Sequence, residues 1–358
     1  MLSVTPAVAM PAPASRPVAI WLLTGCLLIA AMVTVGGVTR LTGSGLSITE
    51  WNVLMGALPP QNQADWLELF RKYQASPQFQ LLNPHFALAD FQKIFWWEYL
   101  HRLIARLMGV VFLVPFAWFL LRGHIDRALR NRVALIFALG ALQGVLGWAM
   151  VASGLVDRPA VSHYRLAAHL LTALVTFAVT LWVALGLLAP ARRPAMPEAI
   201  RWQARILAAL FFLQVTYGAF VAGLKAGFIY NTFPLMGNAL VPKGMLVLSP
   251  AWVNLTENPV TVQFIHRLLG WALALLGAWL WFTLRVHGMR GPANLLLAAL
   301  ATQFTLGILT ILNLPGSPVF WGAIHQAGAV ALLTAVLNLL FALRPGAARE
   351  GIIQPAAG

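Results

Sequence analysis

Hydrophobic residues gather into eight long runs, at roughly 18–38, 97–121, 133–153, 165–189, 204–224, 262–284, 294–313 and 321–343, separated by segments where charge, proline and glycine return. An α-helix rises 1.5 Å per residue, so a run of about 20 apolar residues crosses the hydrocarbon layer of a bilayer. Lipid offers no partner to a free backbone amide or carbonyl, so such runs must be helical. The pattern predicts an all-α integral membrane protein with eight transmembrane helices. The connection 40–95 is the longest, and it is rich in Gly, Pro, Asn and Trp. A connection of that length is usually functional, and this one is placed to cap a site.

Composition agrees with the pattern. The chain of 358 residues is 60% hydrophobic and only 9% charged, against roughly 25% charged in an average soluble domain. The net charge of +14 would suit nucleic acid, but membrane proteins concentrate Lys and Arg in cytoplasmic loops, and no basic domain remains once the helices are set aside. Nucleic acid is therefore not an expected partner; membrane lipid is. With eight spans both termini share one side, which carries 13 of the 24 Lys and Arg in short, dense loops. That side is expected to be the cytoplasm. The single cysteine, Cys26, lies inside the first run and allows no internal disulfide. The first residues lack the Arg-rich character of a mitochondrial transit peptide, so a multi-pass protein of a bacterial inner membrane is expected.

The chain also repeats itself. His101-Arg102-Leu103 matches His266-Arg267-Leu268, His169 answers to His325, Gln143 and Gly147 answer to Gln303 and Gly307, and Val33-Thr34 with Gly36 answers to Val215-Thr216 with Gly218. The offsets are 165, 156, 160 and 182, so the drift lies in loops. Two tandem, pseudo-symmetric four-helix bundles of like orientation follow. The expected divisions are a cytoplasmic segment 1–17, an N-terminal half 18–189, a cytoplasmic linker 190–203, a C-terminal half 204–343 and a cytoplasmic tail 344–358.

Each half has two histidines near the start of an even-numbered helix, which puts all four at one depth near the outer face. Ionisable groups inside spans are costly and usually functional. Two imidazoles at equal height on neighbouring helices are what bis-histidine heme ligation requires. A hydrogen bond to a backbone carbonyl would explain one such histidine, but fourfold recurrence favours heme. No Cys, Asp or Met recurs beside them to complete a zinc or copper site. His85, His124, His163 and His287 fall in loops or at helix edges, where solvation accounts for them. Arg40, Arg102, Arg158, Arg165 and Arg267 lie on the same side. They suit heme propionates and suit equally a snorkelling contact with headgroups.

One carboxylate breaks the repeat. Glu98 stands three residues before His101, where the second half has Gln263 before His266. Two uses are open: proton transfer, helped by desolvation near the membrane edge, or an ion pair with Arg102 at i, i+4.

These residues resemble heme A synthase, the membrane enzyme that converts heme O to heme A for cytochrome oxidase. The resemblance runs through the stretch from Gly36 to Ser47 leading to Trp51, through Trp96-Trp97-Glu98-Tyr99-Leu100-His101-Arg102, and through His266-Arg267 and His325-Gln326. It implies that His266 and His325 ligate a resident heme b cofactor that passes electrons. It implies too that His101 and His169 hold the substrate, heme O, and that Glu98 acts at the methyl group being oxidised, which becomes a formyl group at C8 through a hydroxymethyl stage. Some bacterial members carry a cysteine pair in outer loops; this sequence has none and resembles the branch shared by proteobacteria and mitochondria. The implied partners are the farnesyltransferase that makes heme O and an electron-transfer partner of unspecified kind. Two rival functions are a cytochrome-b-like electron carrier and a heme transport or assembly factor without catalysis; the difference between Glu98 and Gln263 argues against equivalent halves.

Overall fold

The computed structural model describes residues 15–50, 55–154, 161–188 and 196–345. Among them, eight helices are long and apolar enough to cross a membrane: α1 (Ser15–Leu41), α4 (Leu88–Leu121), α5 (Arg127–Gly154), α6 (His163–Leu188), α7 (Glu198–Gly223), α9 (Pro259–Val286), α10 (Arg290–Asn313) and α11 (Pro318–Ala342). Three shorter helices, α2 (Gln63–Gln74), α3 (Pro77–Leu82) and α8 (Asn254–Glu257), lie in the connections that precede α4 and α9. Much of the terminal segments 1–17 and 344–358, and part of the linker 190–203, falls outside the described residues.

The helices run further than their apolar runs. The helix α4 begins at Leu88 rather than near 97, because Asp90, Gln92 and Lys93 interrupt the hydrophobic pattern without breaking the helix. In the same way α7 begins at Glu198 rather than 204, its polar first turn braced by ion pairs from Glu198 to Arg201 and Arg205.

The connection 40–95 is also more ordered than a loop. Asn62 caps α2 by accepting from the Asp65 amide, and Ser76 caps α3 ahead of Pro77. Both caps satisfy amides that a helix start leaves free. The two helices rest on the extension of α4 through an aromatic cluster around Tyr73 and Phe91, both fully buried, with Trp66, Phe70, Phe79 and Phe95 packed against them. Tyr73 stacks on Phe91 with ring centroids 5.2 Å apart. Two polar ties fasten this cap: Gln78 Nε2 donates to the Gly43 carbonyl at 2.7 Å and the Tyr99 hydroxyl to the Ala57 carbonyl at 2.7 Å.

Within the spanning region α1 packs against α4, α6 and α11, while α7 packs against α6, α9 and α11. The largest buried cluster joins α1, α6, α7, α9, α10 and α11 and includes Ile29, Leu174, Leu207, Leu280, Leu296 and Leu333. Helices in lipid gain little from hydrophobicity when they associate, so close packing at small residues must hold them. Gly25 receives the ring of Phe112, and Gly277 receives Leu300.

Candidate functional site

The four repeated histidines stand on α4, α6, α9 and α11, and each ring lies against a glycine of a neighbouring helix. A Cβ placed on Gly36 of α1 would sit 3.0 Å from His101 Nε2, and one on Gly147 of α5 would sit 3.5 Å from His169 Cε1. A Cβ on Gly218 of α7 would lie 3.1 Å from His266 Cε1, and one on Gly307 of α10 the same 3.1 Å from His325 Cε1. Each of these glycines sits five to seven residues before the end of its helix. All four contacts therefore fall about 10 Å in from the same ends of the helices. Two of the four histidines thus stand in each half of the chain, every one against a glycine of a neighbouring helix.

Glutamines orient three of the rings or their backbone. Gln143 Nε2 donates to the His169 carbonyl at 3.0 Å, and Gln303 Nε2 donates to the His325 carbonyl at the same 3.0 Å while lying 3.3 Å from His325 Nδ1. His266 Nδ1 is 3.2 Å from the Gln214 carbonyl. A ring that donates through Nδ1, as His266 can to this carbonyl, carries its lone pair on Nε2, which here lies 3.4 Å from the Gln214 side-chain amide. His169 Nδ1 is buried with no partner among the described residues. Half-buried imidazoles in pairs, each with a small-residue cradle, make a donor set of the kind that ligates heme iron from both faces.

Glu98 is buried, and its carboxylate accepts from Ser47 Oγ at 2.7 Å, the Ile48 amide at 2.8 Å, and Arg102 through Nε at 3.1 Å and Nη2 at 2.7 Å. The ion pair at i, i+4 is therefore present, inside a larger network. Arg102 also donates to the carbonyls of Ile48 at 2.8 Å and Glu50 at 2.7 Å. The second half has a similar clamp with an amide in place of the carboxylate: the buried Gln263 donates to the Tyr230 carbonyl at 2.9 Å, and Arg267 donates to the carbonyls of Tyr230, Thr232 and Leu235.

The remaining arginines also find backbone. Arg40 Nη1 donates to the Ala222 carbonyl at 2.7 Å and so ties the end of α1 to the end of α7. Arg165 Nη1 reaches the Ala149 carbonyl at 3.3 Å. Arg158 lies outside the described residues. Of the four histidines assigned to solvent, His85 and His287 are exposed, but His163 is buried at 8% exposure. Phe220 and Gly223 of α7 close over it, and its Nε2 lies 3.6 Å from the Glu257 carboxylate, which also accepts from the Tyr164 hydroxyl at 2.5 Å. Nothing in the spacing announces that cluster, because its members come from α6, α7 and α8. Gln326 is likewise joined to a distant partner, donating to the Val33 carbonyl of α1.

An eight-span helical membrane protein with paired intramembrane histidines is the class these features define. Residues 19–337 match the family model described as cytochrome oxidase assembly protein, COX15-CtaA, and the chain belongs to that family. It is 48% identical over 336 residues to the heme A synthase of Nitrosospira multiformis, covering 92% of this chain and 94% of the relative. Against the heme A synthase of Rhodospirillum centenum the identity is 48% over 352 residues, covering 96% and 93%. Against that of Nitrosomonas eutropha it is 47% over 329 residues, covering 90% and 92%.

Proposed function

We propose that this chain is a heme A synthase, an oxidoreductase that takes heme O as substrate and turns its C8 methyl group into a formyl group through a hydroxymethyl stage. The product, heme A, serves cytochrome oxidase, in keeping with the family's description. The observation that carries the reading is the pair of two-histidine sites of which only one has a buried carboxylate three residues before a histidine.

In this reading His101 and His169 hold the iron of heme O. His266 and His325 hold a resident heme b, which supplies one-electron relay chemistry. The glycines that face the four rings let the imidazoles sit close against the neighbouring helices, and Gln214 and Gln303 reach the rings of His266 and His325 and help fix their orientation. Glu98 meets the protons released as a methyl carbon is oxidised. Ser47, the Ile48 amide and Arg102 donate to its two oxygens, and in this role it yields one of those donors for the proton it takes up. Gln263 cannot do this, which fits a second site that only passes electrons. Arg40, Arg102, Arg165 and Arg267 stabilise the site chiefly by fixing the loops and helix ends around it; a propionate would add to these bonds rather than replace them.

The charge distribution supports a bacterial inner membrane location with both termini cytoplasmic and the histidines toward the opposite face. Heme O arriving from the farnesyltransferase that makes it, and electrons exchanged with a separate redox partner, complete the scheme. The test is to purify the protein and identify each bound heme by mass. Heme b together with heme O or heme A is expected; protoheme alone in both sites, with no heme A formed from added heme O, would overturn the reading.

A further inference from the structure

The two halves differ most where their second and third helices meet. In the C-terminal half α9 and α10 pack side by side. Their seam is closed by Trp271 of α9 against Phe304 of α10, ring centroids 4.8 Å apart, with Phe233 of the preceding loop 6.1 and 6.2 Å from the two rings. In the N-terminal half α4 and α5 scarcely touch along their length. They approach through Phe112 and Phe116 against Phe137, ring centroids 6.3 and 5.2 Å apart, at the end away from the histidines.

The sequence explains the difference. The offset of 165 that relates His101 to His266 places Arg106 opposite Trp271, and the offset of 160 that relates Gln143 to Gln303 places Gly144 opposite Phe304. Both rings that close the second seam are thus missing from the first. A Cβ on Gly144 would meet nothing within 4 Å, nor would one on Gly140 or Gly109. The seam borders the N-terminal histidine site: Gln143, which holds the His169 carbonyl, precedes Gly144, and Gly147 faces the His169 ring one turn on.

We infer that the α4–α5 seam is a groove, open sideways to lipid, that receives the long hydrocarbon tail of the substrate porphyrin while its iron lies between His101 and His169. The inference rests on the proposed reaction with a farnesylated heme. A groove of this kind sets specificity: the resident site, sealed by Trp271 and Phe304, takes a heme without such a tail, and the open site selects a heme that carries one. Surrounding lipid fills the groove when no substrate is bound, and a tail lying in it stays in an apolar medium while the ring is held between helices.

Gly144→Phe, which copies the second half, tests this. Purified wild-type protein and variant are titrated spectroscopically with heme O and with protoheme, which has the same ring but a vinyl group in place of the tail. Wild type is expected to prefer heme O by about tenfold or more, and Gly144→Phe to reduce that preference to within about twofold while the resident heme spectrum is unchanged. An undiminished preference, or equal loss of both hemes, would overturn the groove. If Gly144→Phe does not accumulate, Gly144→Leu carries the same titration. Failure of the wild type to make heme A at all would instead sink the enzymatic reading, so the two failures are distinguishable.

Discussion

Glu98 and Gln263 hold equivalent positions three residues before a histidine, and each reaches across to the backbone of the segment that precedes its helix. Glu98 accepts from the Ile48 amide at 2.8 Å, whereas Gln263 donates to the Tyr230 carbonyl at 2.9 Å. Geometry is thereby conserved between the halves while charge is not. An anion placed inside a membrane protein is expensive, and a neutral amide does the same mechanical task in the second half. The proposed function gives the carboxylate a use beyond anchoring.

Glu98→Gln should keep the loop attached, since an amide oxygen still accepts from Ser47 and Ile48. Heme A recovered by extraction and chromatography is expected to fall by roughly a hundredfold or more, with the resident heme retained. Normal heme A in cells carrying only this variant would show that Glu98 is an anchor and nothing more.

The histidine pairs should separate by substitution. His325→Ala is expected to remove the bis-histidine absorption of the purified protein, since His266 alone cannot fill both axial positions. His169→Ala should leave that absorption in place and stop conversion of added heme O. Spectra altered by both variants alike would count against two distinct sites.

The glycine cradles give a graded prediction. Gly218→Ala puts a methyl group 3.1 Å from the His266 ring and Gly36→Ala puts one 3.0 Å from His101, whereas Gly147→Ala leaves 3.5 Å to His169. Resident heme per chain, measured after purification, is expected to drop for Gly218→Ala only. Affinity for heme O should drop for Gly36→Ala and change little for Gly147→Ala, whose new methyl stands at ordinary contact distance.

Phe91→Ala should uncouple the cap from the bundle. Phe91 is fully buried among Trp66, Phe70, Tyr73 and Phe95, and truncation of such a ring costs about 3–5 kcal/mol. Limited proteolysis is expected to cut between residues 62 and 86 while the resident heme spectrum persists. A bundle that loses its heme together with the cap would contradict this separation.

Gln326→Leu should weaken the contact between α1 and α11 by about 1 kcal/mol, the usual worth of an interhelical hydrogen bond in lipid. The midpoint of unfolding in a denaturing detergent should fall accordingly. Gly37→Ala should act the same way, because its methyl would press on the Gln326 amide. An unchanged midpoint in both would mean that the bond to Val33 adds nothing to the packing.

How much of this was legible in the sequence depended on whether the signal was local. Span number followed from the lengths of the apolar runs, and the four histidines stood out through a repeat that also carries their glutamines and glycines. The early start of α4 was hidden because Asp90, Gln92 and Lys93 look like loop when judged by hydropathy. The roles of Arg102 and Arg267 were hidden for another reason: their partners are main-chain carbonyls, which leave no mark in residue identity. Burial of His163 depends on α7 lying over it, and adjacency of that kind is decided by packing. The contrast of Arg106 and Gly144 with Trp271 and Phe304 was readable from the offsets, but it acquires meaning only once α9 and α10 are seen to touch and α4 and α5 are seen to stand apart.

The contact between α1 and α11 bears on how the protein is made. Residues 41 and 318, which bound those two helices, are separated by about three quarters of the chain of 358 residues. At ordinary rates of synthesis the first helix must wait about 15–60 s for its neighbour to leave the ribosome. During that interval the Val33 carbonyl side of α1 faces lipid or an insertion factor, and the wall that bears His101's glycine has no backing. The first helix made thus gains its last neighbour only when the final span arrives.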